Sequence, residues 1–182
     1  MHVVDVVIFA VWVAFWIYWL AASIGVKAGQ TQWTRFAGAR VGLILLVLLL
    51  VRAGVLKGHA AVSDPWLQGI GLVIFLLGLA LAVWARVYLG RNWGMPMSQK
   101  ADPELVTTGP YRSIRHPIYT GIILAMIGTT IAVSLYWLVA VVMLGAYFVY
   151  SAIAEERFMA GRLPDSYPGY KRSTKMLIPF IF

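Results

Sequence analysis

A run of about twenty apolar residues can cross a bilayer as a helix, and hydrocarbon offers no partner for backbone polar groups left outside such a helix. Five runs of this kind occupy most of the 182-residue chain, at 3–24, 41–56, 66–89, 117–133 and 135–154, the second being short. Apolar residues make up 61% of the sequence, against about 45–50% in soluble domains. The reading is an all-α integral membrane protein, a single domain with five transmembrane helices. The first run carries Asp5, lacks a basic start and is too long for a signal-peptide core, so it counts as a span.

Charge placement supports the same count. Lys27, Arg35 and Arg40 follow span one. Arg86, Arg91, Lys100, Arg112 and Arg115 surround the connector between spans three and four, and Arg157, Arg162, Lys171, Arg172 and Lys175 lie in the tail. Only Arg52 and Lys57 fall on the other side. By the positive-inside rule the N-terminus is expected outside and the C-terminus in the cytoplasm. The same bias accounts for the net charge of +8 with no nucleic acid as partner. The chain has no cysteine, which excludes disulfides and thiolate chemistry, and its three histidines are too widely spaced to suggest a metal site. The outer loops are short, whereas the connector at 90–116 and the tail at 155–182 are long and polar. Any chemistry therefore belongs on the cytoplasmic side.

The connector ends in Leu105-Val-Thr-Thr-Gly-Pro-Tyr-Arg-Ser-Ile-Arg-His-Pro-Ile-Tyr-Thr-Gly121, a turn-rich cationic segment set directly before a span. Pro117 suits the first position of a helix, and Gly109-Pro110 imposes a turn that leaves backbone open to a ligand. Spans four and five share a very short turn near residues 134–137, so they form an antiparallel hairpin. Pro117 and Glu155 each lie about 18 residues from that turn, or some 27 Å at about 1.5 Å per residue. The pair Arg115-His116 is thus expected level with the pair Glu155-Glu156. Two acids at the C-terminal end of a helix oppose its dipole. They point to a bound cation, either the nearby arginines or the ammonium of a ligand. Arg112 and Arg115 also read as positive-inside anchors and His116 as a helix cap. Tyr111, Tyr119, Tyr167 and Tyr170 read equally as interfacial aromatics. Gly121 and Gly128, on one face of span four, allow close helix approach or room for a ligand. The N–H groups opening span four, with Arg115 beside them, would suit an anion such as an amino-acid carboxylate.

These residues, from about 86 to 182, resemble the catalytic half of the isoprenylcysteine carboxyl methyltransferase family, in its short prokaryotic form. The match comprises Leu105-Val106-Thr107, Gly109, Tyr111, Arg115-His116-Pro117-x-Tyr119-x-Gly121, Glu155-Glu156, Tyr167-x-x-Tyr170 and Leu-Ile-Pro at 177–179, with Leu89-Gly90-Arg91-Asn92-Trp93 upstream. The resemblance implies two N-terminal spans (1–65) followed by span three and a catalytic half (66–182). It implies S-adenosyl-L-methionine enclosed by connector, hairpin ends and tail, touched by Leu105, Val106, Tyr111, His116, Pro117 and Tyr119 with the Glu155-Glu156 region alongside. Gly109, Gly121, Tyr167 and Tyr170 complete the expected cofactor set, and Arg115, His116, Glu155 and Glu156 the catalytic one. Two departures stand out. Leu163-Pro164-Asp165-Ser166 replaces a more acidic stretch before the first tail tyrosine, and Tyr150-Ser151 lies where relatives often carry a basic residue.

The function expected is methyl transfer to a lipophilic acceptor drawn from the bilayer, foremost a prenylcysteine-type carboxylate. Phospholipid N-methylation and thiol S-methylation are the alternatives. A sterol-reductase-like NADPH oxidoreductase and a non-catalytic lipid-binding protein are the rivals from other classes.

Overall fold

The computed structural model describes residues 3–24, 29–31, 61–94, 98–100, 103–179 and 181. Its elements are α1 (Val3–Ala22), β1 (Gly29–Thr31), α2 (Pro65–Leu89), β2 (Ser98–Lys100), α3 (Pro117–Ala132), α4 (Trp137–Arg162) and α5 (Tyr167–Ser173). Single 3-10 turns stand at Gly90–Asn92 and Gly109–Arg112. The helix α2 starts sharply because the Asp64 carboxylate accepts from the amides of Trp66 and Leu67 at 2.8 and 3.1 Å, with Pro65 at the first helical position.

The helices α2 and α3 run antiparallel and touch backbone to backbone along a seam of small residues. A Cβ added at Gly128 would lie 2.3 Å from the Phe75 amide, and one at Gly78 would lie 2.4 Å from the Ala125 amide. Gly71 and Gly121 are as tightly placed, against Ala132 and Gly78 respectively. Lipid tails are as apolar as leucine, so helices in a bilayer associate through this kind of close contact rather than through hydrophobic exclusion. Gly121 therefore spends its missing side chain on the approach of α2.

The helix α1 lies parallel to α2 and crosses to α3. Trp12 Nε1 donates to Thr129 Oγ1 at 3.1 Å, and the Trp12 ring packs against Phe75. At the end where α1 and α2 both finish, the buried Arg86 guanidinium lies over the Trp93 ring, 4.9 Å from its centroid. It donates to the carbonyl of Gly90 at 2.7 Å and to that of Ala22. Two helix C-termini converge there, and the partial negative charge of their carbonyls favours a cation.

Among the described residues, three helices, α1, α2 and α4, are long and apolar enough to cross a membrane. The expected second span, 41–56, lies outside the described residues. The expected fourth span is an apolar helix of only 16 residues, roughly 24 Å long and short of a hydrocarbon core of about 30 Å. The fifth is longer than expected, 26 residues, because its last turns are polar and carry no hydropathy signal. The all-α expectation holds, with one small addition. An antiparallel ribbon pairs β1 with β2, Gln30 opposite Gln99. Three-residue strands bury too little to leave a periodic signature, and the pairing joins two segments both expected on the cytoplasmic side.

Candidate active site

The shortness of α3 sets the geometry of the site. Its first residue, Pro117, sits below the end of α4, and the chain just before it needs partners for its backbone. The tail supplies them. The amide of Arg115 donates to Lys175 O at 2.8 Å, that of His116 to Met176 O at 3.1 Å, and that of Lys175 to Ser113 O at 3.2 Å. Thr120 Oγ1 adds a bond to Leu177 O at 2.7 Å. A parallel strand-like contact between Ile114 and Lys175 results. It satisfies the irregular backbone before α3 within the protein.

The two pairs expected to converge do so, but unequally. Arg115 Nε lies 2.6 Å from Glu156 Oε1, and its Nη1 donates to Thr174 O and, at 3.2 Å, to Lys171 O. Lys171 Nζ stands 2.7 Å from Glu156 Oε2, near enough for an ion pair though off the line of a hydrogen bond. The Glu156 side chain is 2% exposed. Glu156 and Arg115 thus tie α4, the start of α3 and the tail together. This geometry commits the Arg115 amide, Nε and Nη1 to the protein.

Glu155 is placed differently, its side chain 25% exposed. Its Oε1 accepts from the Tyr119 hydroxyl at 2.6 Å, and its Oε2 lies 3.6 Å from His116 Nδ1. His116 Nε2 is buried with no hydrogen-bond partner, 3.6 Å from Glu156 Oε1. The ring of Tyr119 is sandwiched, parallel to His116 at 5.4 Å and to Phe148 at 4.7 Å.

The connector forms the neighbouring wall. Gly109 has φ +59, and a Cβ there would meet the Tyr88 ring at 2.5 Å, so the position needs glycine on both counts. Pro110 and Tyr111 are buried, and Leu105 and Val106 half-buried. Tyr170 holds this turn from the tail, its hydroxyl donating to Tyr111 O at 2.7 Å. Burial pushes the Tyr170 hydroxyl up to about 12, so it remains a donor at neutral pH. Tyr111 and the buried Tyr167 are shifted upward too, again by burial first. The altered segment before Tyr167 still turns into α5, with Asp165 exposed. Ser151 is wholly buried and its Oγ has no hydrogen-bond partner, while Tyr150 points outward, 54% exposed.

Of the expected residues, the structure gathers His116, Tyr119 and Glu155 at one point, with Tyr111, Tyr167 and Tyr170 bracing the adjoining turn. Phe148, Lys171 and Thr174 were not singled out from sequence. Phe148 had a signal available, two helical turns before Glu155 on the same face of α4.

The profile of the phospholipid methyltransferase family matches residues 66–165, from the start of α2 to the turn before α5. The chain belongs to this family. The expected resemblance to isoprenylcysteine methyltransferases is borne out at the family level by a Xenopus laevis protein-S-isoprenylcysteine O-methyltransferase. It is 32% identical over 120 residues, 64% of this chain and 42% of that protein. A cobalt-zinc-cadmium resistance protein of Cupriavidus metallidurans, CzcN, is 31% identical over 143 residues, 77% of this chain and 63% of the relative. A methanethiol S-methyltransferase of a Pseudomonas strain is 23% identical over 146 residues, covering 75% and 56% of the two chains. The chain thus spans less than two thirds of the length of each of these three relatives.

Proposed function

We propose that this chain is an S-adenosylmethionine-dependent membrane methyltransferase whose cofactor lies between the 105–116 connector, the α3–α4 hairpin ends and the tail. The observation that carries the reading is the division of labour in the acidic pair. Glu156 is sealed among Arg115, Lys171 and the buried Nε2 of His116, while Glu155 keeps a partly exposed carboxylate 3.6 Å from His116 Nδ1. A partly exposed carboxylate, with His116 Nδ1 beside it, suits the ammonium of an amino-acid moiety. The donor set therefore fits the cofactor. Leu105, Val106 and Tyr111 would hold its apolar parts.

When bound, the cofactor supplies an electrophilic methyl on a sulfonium. Displacement at that carbon is in line, so alignment in a dry site provides most of the acceleration. Glu155 orients the donor, and the Arg115–Glu156–Lys171 cluster keeps the tail closed against water. A carboxylate acceptor needs no base. An amine or thiol must lose a proton, and His116 and Glu155 are the groups placed to take it. The short α3 supports a site at the level where bilayer meets water, open to a lipophilic acceptor. The acceptor read first is a prenylcysteine-type carboxylate. The buried Ser151, standing where a cation would favour an acidic acceptor, lends weight to an amine or thiol as second reading. The positive-inside bias places connector, tail and site in the cytoplasm with the N-terminus outside.

Purified protein given methyl-labelled S-adenosylmethionine is expected to label a lipid extract, a prenylcysteine mimic or a small thiol. The labelled product identifies the acceptor. Absence of transfer to every one of them, with the cofactor bound, would leave a binding protein in place of an enzyme.

A further inference from the structure

Family resemblance places Tyr119 against the cofactor, but its surroundings leave it little to offer one. The residue is 8% exposed. His116 covers one face of its ring at an interplanar angle of 3°, and Phe148 lies nearly parallel at 16°. Its hydroxyl is spent on Glu155 Oε1 at 2.6 Å. An O–H···O⁻ bond of that length is of the strong, charge-assisted kind. The ring clamp fixes where the hydroxyl points. A glutamate on a helix end has three rotatable bonds, and holding its carboxylate in one place costs rotamer entropy at every binding event unless something has already fixed it.

We infer that Tyr119 is a positioning residue, whose clamped hydroxyl pre-orients the Glu155 carboxylate for a cationic group of the methyl donor, and that it does not itself touch the donor. The inference rests on the proposal that Glu155 receives the cofactor's ammonium. It assigns the stacked triplet His116–Tyr119–Phe148 a job beyond packing, as the rigid support that fixes a single hydrogen bond. The motif position thus acts through a residue 36 places away in sequence.

The test is a double-mutant cycle read by binding. S-adenosylhomocysteine carries the same amino-acid end and no transferable methyl, and is titrated calorimetrically into the solubilised full chain. The proteins are the wild type, Tyr119→Phe, Glu155→Ala and the double variant. Phenylalanine keeps the ring stack, so the Tyr119→Phe fold persists and its thermal midpoint should stay near that of the wild type. Each single variant is expected to bind roughly tenfold or more weakly, since each removes the oriented carboxylate from the donor's cationic group. The double variant should bind no worse than Glu155→Ala within about twofold, because the hydroxyl has nothing left to position. A purely structural tyrosine would give losses that multiply. Unchanged affinity in Tyr119→Phe, or multiplicative losses, overturns the inference while leaving the cofactor reading intact. No binding by the wild type overturns both.

Discussion

Gly128→Ala is expected to destabilise the protein by about 2 kcal/mol or more, and Gly128→Leu to leave little folded material, by thermal melting of the solubilised protein. In an ordinary helix the first change would gain up to about 1 kcal/mol through propensity. Here the new methyl would sit 2.3 Å from the Phe75 amide and 2.6 Å from the Gly71 carbonyl, both backbone atoms that cannot swing aside. The helices α2 and α3 would have to separate along their length, and the Gly71, Gly78 and Gly121 contacts would loosen with them. Gly145 is the internal control. It lies on α4 with nothing within 4 Å of a Cβ, so Gly145→Ala should be neutral or stabilising. If the two alanine variants melt alike, the seam does not hold the bundle.

The acidic pair gives the second large effect, with opposite signatures for its two members. Glu156→Ala removes the carboxylate that compensates the 8%-exposed Arg115, and an ion left buried without its partner costs about 3–5 kcal/mol. The tail and the start of α3 share that cluster, so the variant should melt early and expose the tail to protease. Glu155→Gln removes a charge that is partly exposed. Stability should stay within about 1 kcal/mol of the wild type, since exposed charges contribute little, while methyl transfer falls at least tenfold. Equal effects of both variants on stability and turnover would mean the pair is not divided between support and function.

Three of the spans, α1, α2 and α4, were legible because long uncharged runs have one stable answer in a bilayer. The hairpin and the meeting of Arg115-His116 with Glu155-Glu156 followed from counting residues either side of a short turn. Which face each helix presents was not legible, since spans apolar all round carry no periodic signal. Gly121 was therefore open to both readings. A clue was present in α2, where Gly71 and Gly78 repeat the seven-residue spacing of Gly121 and Gly128. The partner of Arg115 was equally hidden. Its choice of Glu156 over a ligand depends on the tail folding back, through carbonyls of Lys171 and Thr174 that no side-chain pattern announces. The polar end of α4 and the β1–β2 ribbon escaped notice because neither is built from apolar periodicity.

The central claim is that the site formed by the connector, Glu155 and the tail holds S-adenosylmethionine. Calorimetric titration of the solubilised full chain with S-adenosylhomocysteine, and separately with NADPH, tests it most directly. Saturable binding of S-adenosylhomocysteine to one site, with no heat from NADPH, is the predicted result. Binding of NADPH alone, or of neither compound, would contradict it.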